Sequence, residues 1–371
     1  MGSVFRRYLL PGFIFQSVTI GGGYGTGREI AEFFLSHGAV GGLLGLCVTT
    51  IVWSIMLAIC FEFARIHRSF DYRSFFSALL GPFWRVFEAL YLMIALLILS
   101  VLGSAAGEMI ASAFGVQSYW GSFMLLGAIG ALAFFGGRII EKTLAWWSFL
   151  LYAVYGVFLV WIAATHGNAI ADTLGAGAAA GPWFFDGVRY AAYNLIAFVA
   201  VLFVLPHLES RRDAIASGFL AGLIGIIPGV FIFIAMLSHY PAIQSEAVPV
   251  LTLLESLNSG WFFALFQIVL FGTFVETGVG IIHSVNERAA NSVREGGATF
   301  PRWARFAIAA ALLLTAIFLA QWIGIIDLIA KGYGALSYGF IAVVAVPLLT
   351  VGVYKIINRT TSRPESKRVF S

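Results

Sequence analysis

Gly21-Gly22-Gly23-Tyr24-Gly25-Thr26-Gly27 sets five glycines in seven positions, inside an apolar run that covers residues 8–36. Each glycine costs about 1 kcal/mol relative to alanine in a helix, so the segment is biased against helix by several kcal/mol. About twelve residues of the run precede the glycines and roughly nine follow, which puts the interruption near the midplane if the run crosses a bilayer. Non-helical backbone survives at that depth only where protein or a water-filled cavity satisfies its N–H and C=O groups. The segment therefore reads as a first transmembrane helix broken at mid-depth. The half ending near Val18–Ile20 would present free carbonyls to a cation, and the half beginning near Thr26 free amides to a carboxylate. The competing reading is close helix packing through small residues, which favours spaced glycines over consecutive ones.

The rest of the chain agrees with a membrane setting. Of 371 residues, 60% are apolar and 11% charged, whereas soluble domains are about half apolar and a quarter charged. Ten runs of spanning length are expected, at 8–36, 40–65, 84–113, 120–137, 142–165, 186–208, 214–238, 260–286, 303–322 and 325–354. With the N-terminus inside, 19 of the 22 basic residues fall in inner segments, as the positive-inside rule requires. Both termini are thus expected to be cytoplasmic, in a multi-pass protein of the cell (inner or plasma) membrane.

Residues 1–359 read as one transmembrane domain, and 360–371 as a basic cytoplasmic tail. Arg6 and Arg7 precede an apolar run too long for a signal peptide, so the first helix is expected to be retained. The position-6 hydroxyl that myristoylation needs is missing. The net charge of +4 is scattered through short loops, which argues against nucleic acid as a partner. Cys47 and Cys60, roughly 20 Å apart on one helix, cannot bridge and read as small buried side chains.

Two loops carry order of their own. Residues 66–82, with Phe70, Phe75, Phe76 and Leu79, read as an amphipathic helix on the inner side. Residues 240–259, with Pro241, Pro249 and the periodic Val250, Leu251, Leu253, Leu254 and Leu257, read as a small helical cap outside.

Span six is the second expected discontinuity, with Tyr190, Tyr193 and Asn194 near its middle and Pro206 near its inner end. Spans one and six each open a five-helix half, repeat one at about 8–165 and repeat two at about 186–354, and an odd number of helices inverts the second half. Interrupted helices at matching positions of inverted halves point to a transporter site.

This all-α, five-plus-five arrangement, with Gly21, Gly23 and Tyr24 forming G-x-G-hydrophobic in the first span, resembles the amino acid–polyamine–organocation superfamily and its LeuT fold. The string from Gly21 to Ile30 resembles the YkvI-like amino acid permeases. The topological likeness covers nearly the whole chain, the sequence likeness about ten residues. It implies substrate at the breaks of spans one and six: Gly21, Gly22, Gly23, Tyr24, Gly25, Thr26, Tyr193 and Asn194. It also implies an outer gate between Arg28 and Asp327.

Ionisable residues within membrane spans are functional candidates by default. Thr273, Glu276 and Thr277 share one face of span eight. With Val18 and Gly21 they would form an all-oxygen site for sodium, and the resemblance assigns hydroxyl ligands to this part of the eighth helix. Glu276 departs from that pattern and reads as an extra ligand, a proton carrier, or a buried acid paired with Lys331 or Arg28. The lysine that replaces sodium in some proton-coupled relatives has no counterpart in span five, where Lys142 lies at the end.

Asp327 has a local alternative to the gate, since Lys331 follows it by four residues. Glu29, Glu32 and Glu108 are read as lining an outer vestibule. Ser100 and Ser104 read equally as site residues or as bonded to their own helix. His283 lacks a second ligand at metal spacing. The expected function is secondary transport of a small amino acid or amine, driven by Na+ or H+, with no other cofactor. A channel or transport-derived sensor is the alternative. An enzyme is less favoured, for want of a nucleophile–base pair or metal cluster.

Overall fold

The computed structural model describes residues 4–135, 138–295 and 299–361, which are helical almost throughout. The tail expected at 360–371 lies almost wholly outside these residues, as do the side chains of Arg138 and Lys142. Among the described residues, seven helical stretches are long and apolar enough to cross a membrane. Helical segments also occupy the three remaining expected ranges, namely the two interrupted spans and the short fourth one.

The first span is interrupted twice rather than once. Helix α1 (Leu10–Thr19) stops at Ile20, one turn survives as α2 (Gly22–Gly25), and α3 (Arg28–Phe33) resumes after Gly27. The surviving turn is closed by Gly25 N–H donating to the Gly21 carbonyl at 2.8 Å. Gly27 takes φ +80°, a left-handed conformation that a Cβ would penalise. It redirects the chain into α3.

Next come α4 (Gly38–His67), α5 (Tyr72–Leu80), α6 (Trp84–Phe114), α7 (Ser118–Phe135) and α8 (Arg138–Ala176). Helix α5 is the expected inner-loop helix. The Asp71 side chain caps it by accepting from Ser74 N–H at 2.9 Å, and its Phe75, Phe76 and Leu79 are buried. Phe75 packs on Phe198, which ties α5 to the sixth span.

That sixth span is broken more deeply than Pro206 alone suggests. Helix α9 (Trp183–Asn194) ends at Asn194, and tight 3₁₀ turns follow at Leu195–Ala200 and Leu202–His207. Runs of 3₁₀ turns this long are uncommon and mark a hinge or strain. Helices α10 (Arg211–Met236), α11 (Pro249–Ser256), α12 (Gly260–Glu295) and α13 (Arg302–Ile323) follow. Residues 325–361 form a last rod in which α and π turns alternate.

Helices α4 and α10 hold the broken spans. Gly218 and Gly222 of α10 rest directly on the α4 backbone at Leu57–Ala58 and Ser54, the close approach that small residues allow between membrane helices. From this pair, polar side chains reach the interrupted helices. Trp53 Nε1 donates to the Ala191 carbonyl at 3.0 Å and Thr49 to the Gly187 carbonyl at 2.9 Å. Gln16 of α1 donates to the Ile224 carbonyl at 2.7 Å. Large apolar side chains on the outside, such as Ile51, Val160, Phe203, Ile268 and Leu314, are more than half exposed, as a lipid-facing surface demands. Cys60 is buried as expected, but Cys47 is on the exposed face of α4.

Contacts define the two ends of the bundle. At the N-terminal end, Arg7 pairs with Glu209 at 2.6 Å, Tyr8 donates to Asp213, and Arg288 pairs with Glu88 at 3.0 Å. At the opposite end, His37 meets Asp186 at 2.9 Å and Thr173 donates to the Leu237 carbonyl at 3.1 Å.

Candidate functional site

A cavity of about 600 Å³ starts at the two breaks and runs to the N-terminal end of the bundle. Its deep end is formed by Gly21, Glu29, Tyr193, Asn194 and Tyr333, and its mouth by Tyr72, Glu287, Arg288 and Asn291. Helix α12 supplies one wall with the polar side chains of Thr273, Glu276, Thr277, Ser284 and Glu287, with Gly280 between them. These positions recur every three or four residues and therefore share one helical face. Ile94, Ala95 and Ile98 of α6 supply apolar lining.

The proposed ion-binding residues are brought together. Val18, Gly21, Thr273, Glu276 and Thr277 all line the cavity. A methyl placed on Gly21 would lie 3.5 Å from Thr277 Cγ2 and 3.8 Å from the Val18 carbonyl oxygen. In this conformation Thr273 donates back to the Val269 carbonyl at 2.9 Å. Arg28 and Lys331, the expected partners of Glu276, bond to Glu32 and Asp327 at 2.9 Å each.

The expected substrate residues divide. Gly21, Tyr193 and Asn194 line the cavity. Tyr24 is fully buried and turns the other way, its hydroxyl lying against Gly229 of α10. Thr26 works as a local cap, donating to the Gly23 carbonyl at 2.8 Å and accepting from Arg28 N–H at 3.3 Å. The Gly25 carbonyl is taken by the Tyr155 hydroxyl of α8. Ser104 is buried on α6 away from the cavity lining, and Ser100 bonds its own helix at 2.8 Å.

Glu29 is the main correction. Expected in an outer vestibule, its carboxylate is 5% exposed and faces the deep end of the cavity. Gly27 turns the chain so that Glu29 folds back onto Gly23; a Cβ there would lie 2.7 Å from Glu29 Cγ. The Tyr193 hydroxyl donates to Glu29 Oε2 at 2.7 Å, and Asn194 lines the same cavity. No cationic side chain bonds it among the described residues. Tyr193 and Tyr333 pack on each other with centroids 4.9 Å apart and ring planes tilted by 36°, and both line the cavity.

The opposite end is closed. Arg28, 4% exposed, donates to the carbonyls of Gln244 and Glu246 at 2.6 and 2.9 Å and pairs with Glu32 at 2.9 Å. The outer loop is further fastened by Val250 N–H donating to the Thr26 carbonyl at 3.1 Å and by Gln244 donating to the Leu35 carbonyl at 2.7 Å. Arg28 and Asp327 are not brought together here: Asp327 pairs with Lys331, four residues on and largely exposed. Phe33, Phe34 and Trp53 pack around the buried Tyr190 ring, with centroids 5.6, 4.8 and 5.8 Å from it.

Three residues at the site carried no signal in the sequence. Arg288 lies between the rings of Tyr72 and Tyr91 at 3.6 and 3.5 Å, beside Glu88. Tyr91 also donates to Ser284 at 2.7 Å, bridging α6 to the polar stripe of α12. Tyr333 is placed by the π turn Leu328–Tyr333, an irregularity often found at functional sites.

No family model matches the chain. It is 25% identical over 217 residues to the uncharacterized membrane protein YkvI of Bacillus subtilis, covering 57% of this chain and 60% of that one. It superposes on MhsT, crystallised in complex with L-phenylalanine, at 15% identity and a TM-score of 0.55, over 95% of this chain and 98% of that one. The Eremococcus coleocola manganese transporter gives 12% identity and a TM-score of 0.55, over 96% and 85%. A Na+-coupled sialic acid symporter gives 11% and 0.53, over 95% and 86%. The chain thus has the LeuT fold of a multi-pass membrane protein.

Proposed function

We propose that this chain is a secondary active transporter for a small amino acid or related amine, coupled to a sodium or proton gradient by alternating access. The observation that carries the reading is the cavity that begins at two broken helices, opens at one end of the bundle and is sealed at the other. A vestibule reaching a mid-membrane site from one side only is one of the two states that alternating access requires. In the proposed arrangement ten helices form two inverted five-helix halves within residues 1–359, and both termini are cytoplasmic. The cavity then opens inward. Thr277, Thr273, Glu276 and the carbonyls near Val18 and Gly21 are the proposed ion ligands, and the break with Tyr193 and Asn194 is the substrate site. The solved proteins of this fold named above include a sodium-coupled symporter and a manganese transporter, which supports the class without fixing the cargo. A channel fits less well, because Arg28 holds the outer loop through the Gln244 and Glu246 carbonyls at one end.

Proteoliposomes carrying the purified protein test this. A labelled substrate is expected to accumulate only under an imposed sodium or proton gradient. If sodium is the coupling ion, Thr277→Val is expected to weaken sodium dependence about tenfold through one lost oxygen ligand, with folding intact. Gradient-independent flux at channel rates would contradict the proposal.

A further inference from the structure

Glu29 bears directly on which substrates the site accepts, an inference that rests on the transport reading above. The amide end of a half-helix in a broken span suits a carboxylate, so the glycine run alone suggests an amino acid held by its carboxylate. The structure fills that place with the chain's own group. Glu29 lies against Gly23 of the surviving turn and accepts from the Tyr193 hydroxyl at 2.7 Å. A second carboxylate brought to this point would meet a like charge at close range in a poorly solvated site, which disfavours it.

The surroundings call for the opposite charge. Glu29 lines the cavity, and no cationic side chain bonds it among the described residues. Beside it the rings of Tyr193 and Tyr333, 4.9 Å apart and also lining the cavity, offer aromatic faces. A buried carboxylate flanked by aromatic faces is the arrangement that binds an organic ammonium, through charge pairing and cation–π attraction. In the same cavity, Ile94, Ala95 and Ile98 offer apolar surface to an alkyl or aryl body. The ion ligands proposed above, Gly21 and Thr277 among them, line the same cavity.

We propose that Glu29 is the anchor for a substrate ammonium, and that the transported compounds are amines without an α-carboxylate rather than amino acids. Binding of matched pairs to the full chain in lipid nanodiscs, measured by calorimetry, tests this: phenethylamine against L-phenylalanine, and cadaverine against L-lysine. The amine of at least one pair is expected to bind about tenfold or more tightly than its carboxylated parent. Glu29→Gln is expected to weaken that amine about 100-fold, as loss of one member of a buried charge pair does, and Glu29→Asp to restore part of the affinity. Tyr333→Leu, which leaves the carboxylate in place, is expected to cost about tenfold and serves if the glutamine variant does not fold.

Tighter binding of the amino acids, binding by neither member of either pair, or amine binding indifferent to Glu29→Gln and Tyr333→Leu would each overturn the proposal. So would a Glu29-dependent response to sodium chloride alone. The two readings fail separately. Gradient-driven accumulation of an amino acid with Glu29→Gln fully active would leave transport standing and sink the amine assignment. Glu29-dependent amine binding with no accumulation under any gradient would do the reverse.

Discussion

Gly23→Leu is expected to abolish substrate binding while the protein still folds. The position belongs to the single helical turn that survives inside the broken span, and its Cα faces the Glu29 side chain. A Cβ there would come within 2.7 Å of Glu29 Cγ and 2.9 Å of Cδ, and a leucine side chain extends well beyond that. The carboxylate must leave its place beside the Tyr193 hydroxyl. Displacing a buried charged partner typically costs 2–5 kcal/mol of binding, a loss on the order of 100-fold or more. Stability moves the other way, because leucine in a helical turn is favoured over glycine by about 0.8 kcal/mol. Thermal unfolding and monodispersity in detergent are therefore expected to stay near wild type while calorimetric binding disappears. Retained binding would mean that the run is only a packing face.

Gly218→Leu is expected to have the opposite profile, a loss of fold. The hydrogen that glycine presents there rests on the α4 backbone at Ala58, and a Cβ would also stand 2.7 Å from the Leu57 carbonyl carbon. Backbone on both sides leaves no flexible side chain to give way, so the two helices must separate. Overpacking costs about 1–3 kcal/mol where side chains yield, and more where the backbone must. The loss also spreads, because α4 holds α9 through Trp53 and Thr49. A fall in melting temperature large enough to prevent purification is the expected result. Gly127→Leu is the control: its added Cβ meets nothing within 4 Å, and the variant is expected to melt within a few degrees of wild type. Equal behaviour of the two variants would remove the α4–α10 contact from its structural role.

What the sequence disclosed, and what it concealed, follow from the range of the interactions involved. Helical positions were legible because apolar length is a local property, and so was the break, because consecutive glycines oppose helix locally. The stripe of Thr273, Glu276 and Thr277 was legible as a face, since spacing alone sets it. What a face looks at is not local. Glu29 follows Arg28 in the chain, and both seemed to point outward. The left-handed Gly27 sends Arg28 to the outer loop while Glu29 folds back to Gly23. Tyr24 looked like a site residue because it sits in the run, yet it packs on Gly229. Tyr333 and Arg288 reach the cavity from spans distant in sequence, and only packing brings them there. Asp327 had two candidate partners, and the one four residues away holds it here.

The central claim is that a site between two broken helices is open to one side of the membrane and alternates. Gly280→Cys tests it most directly, in a background with Cys47 and Cys60 replaced by alanine. Gly280 lines the cavity on α12, and a Cβ there meets nothing within 4 Å, so a thiol is tolerated and reachable. With a membrane-impermeant thiol reagent, labelling is expected from the cytoplasmic side of oriented vesicles and not from the outside, and bound substrate is expected to slow it. Labelling from the outside alone, or at equal rates from both sides with no effect of substrate, would contradict the account.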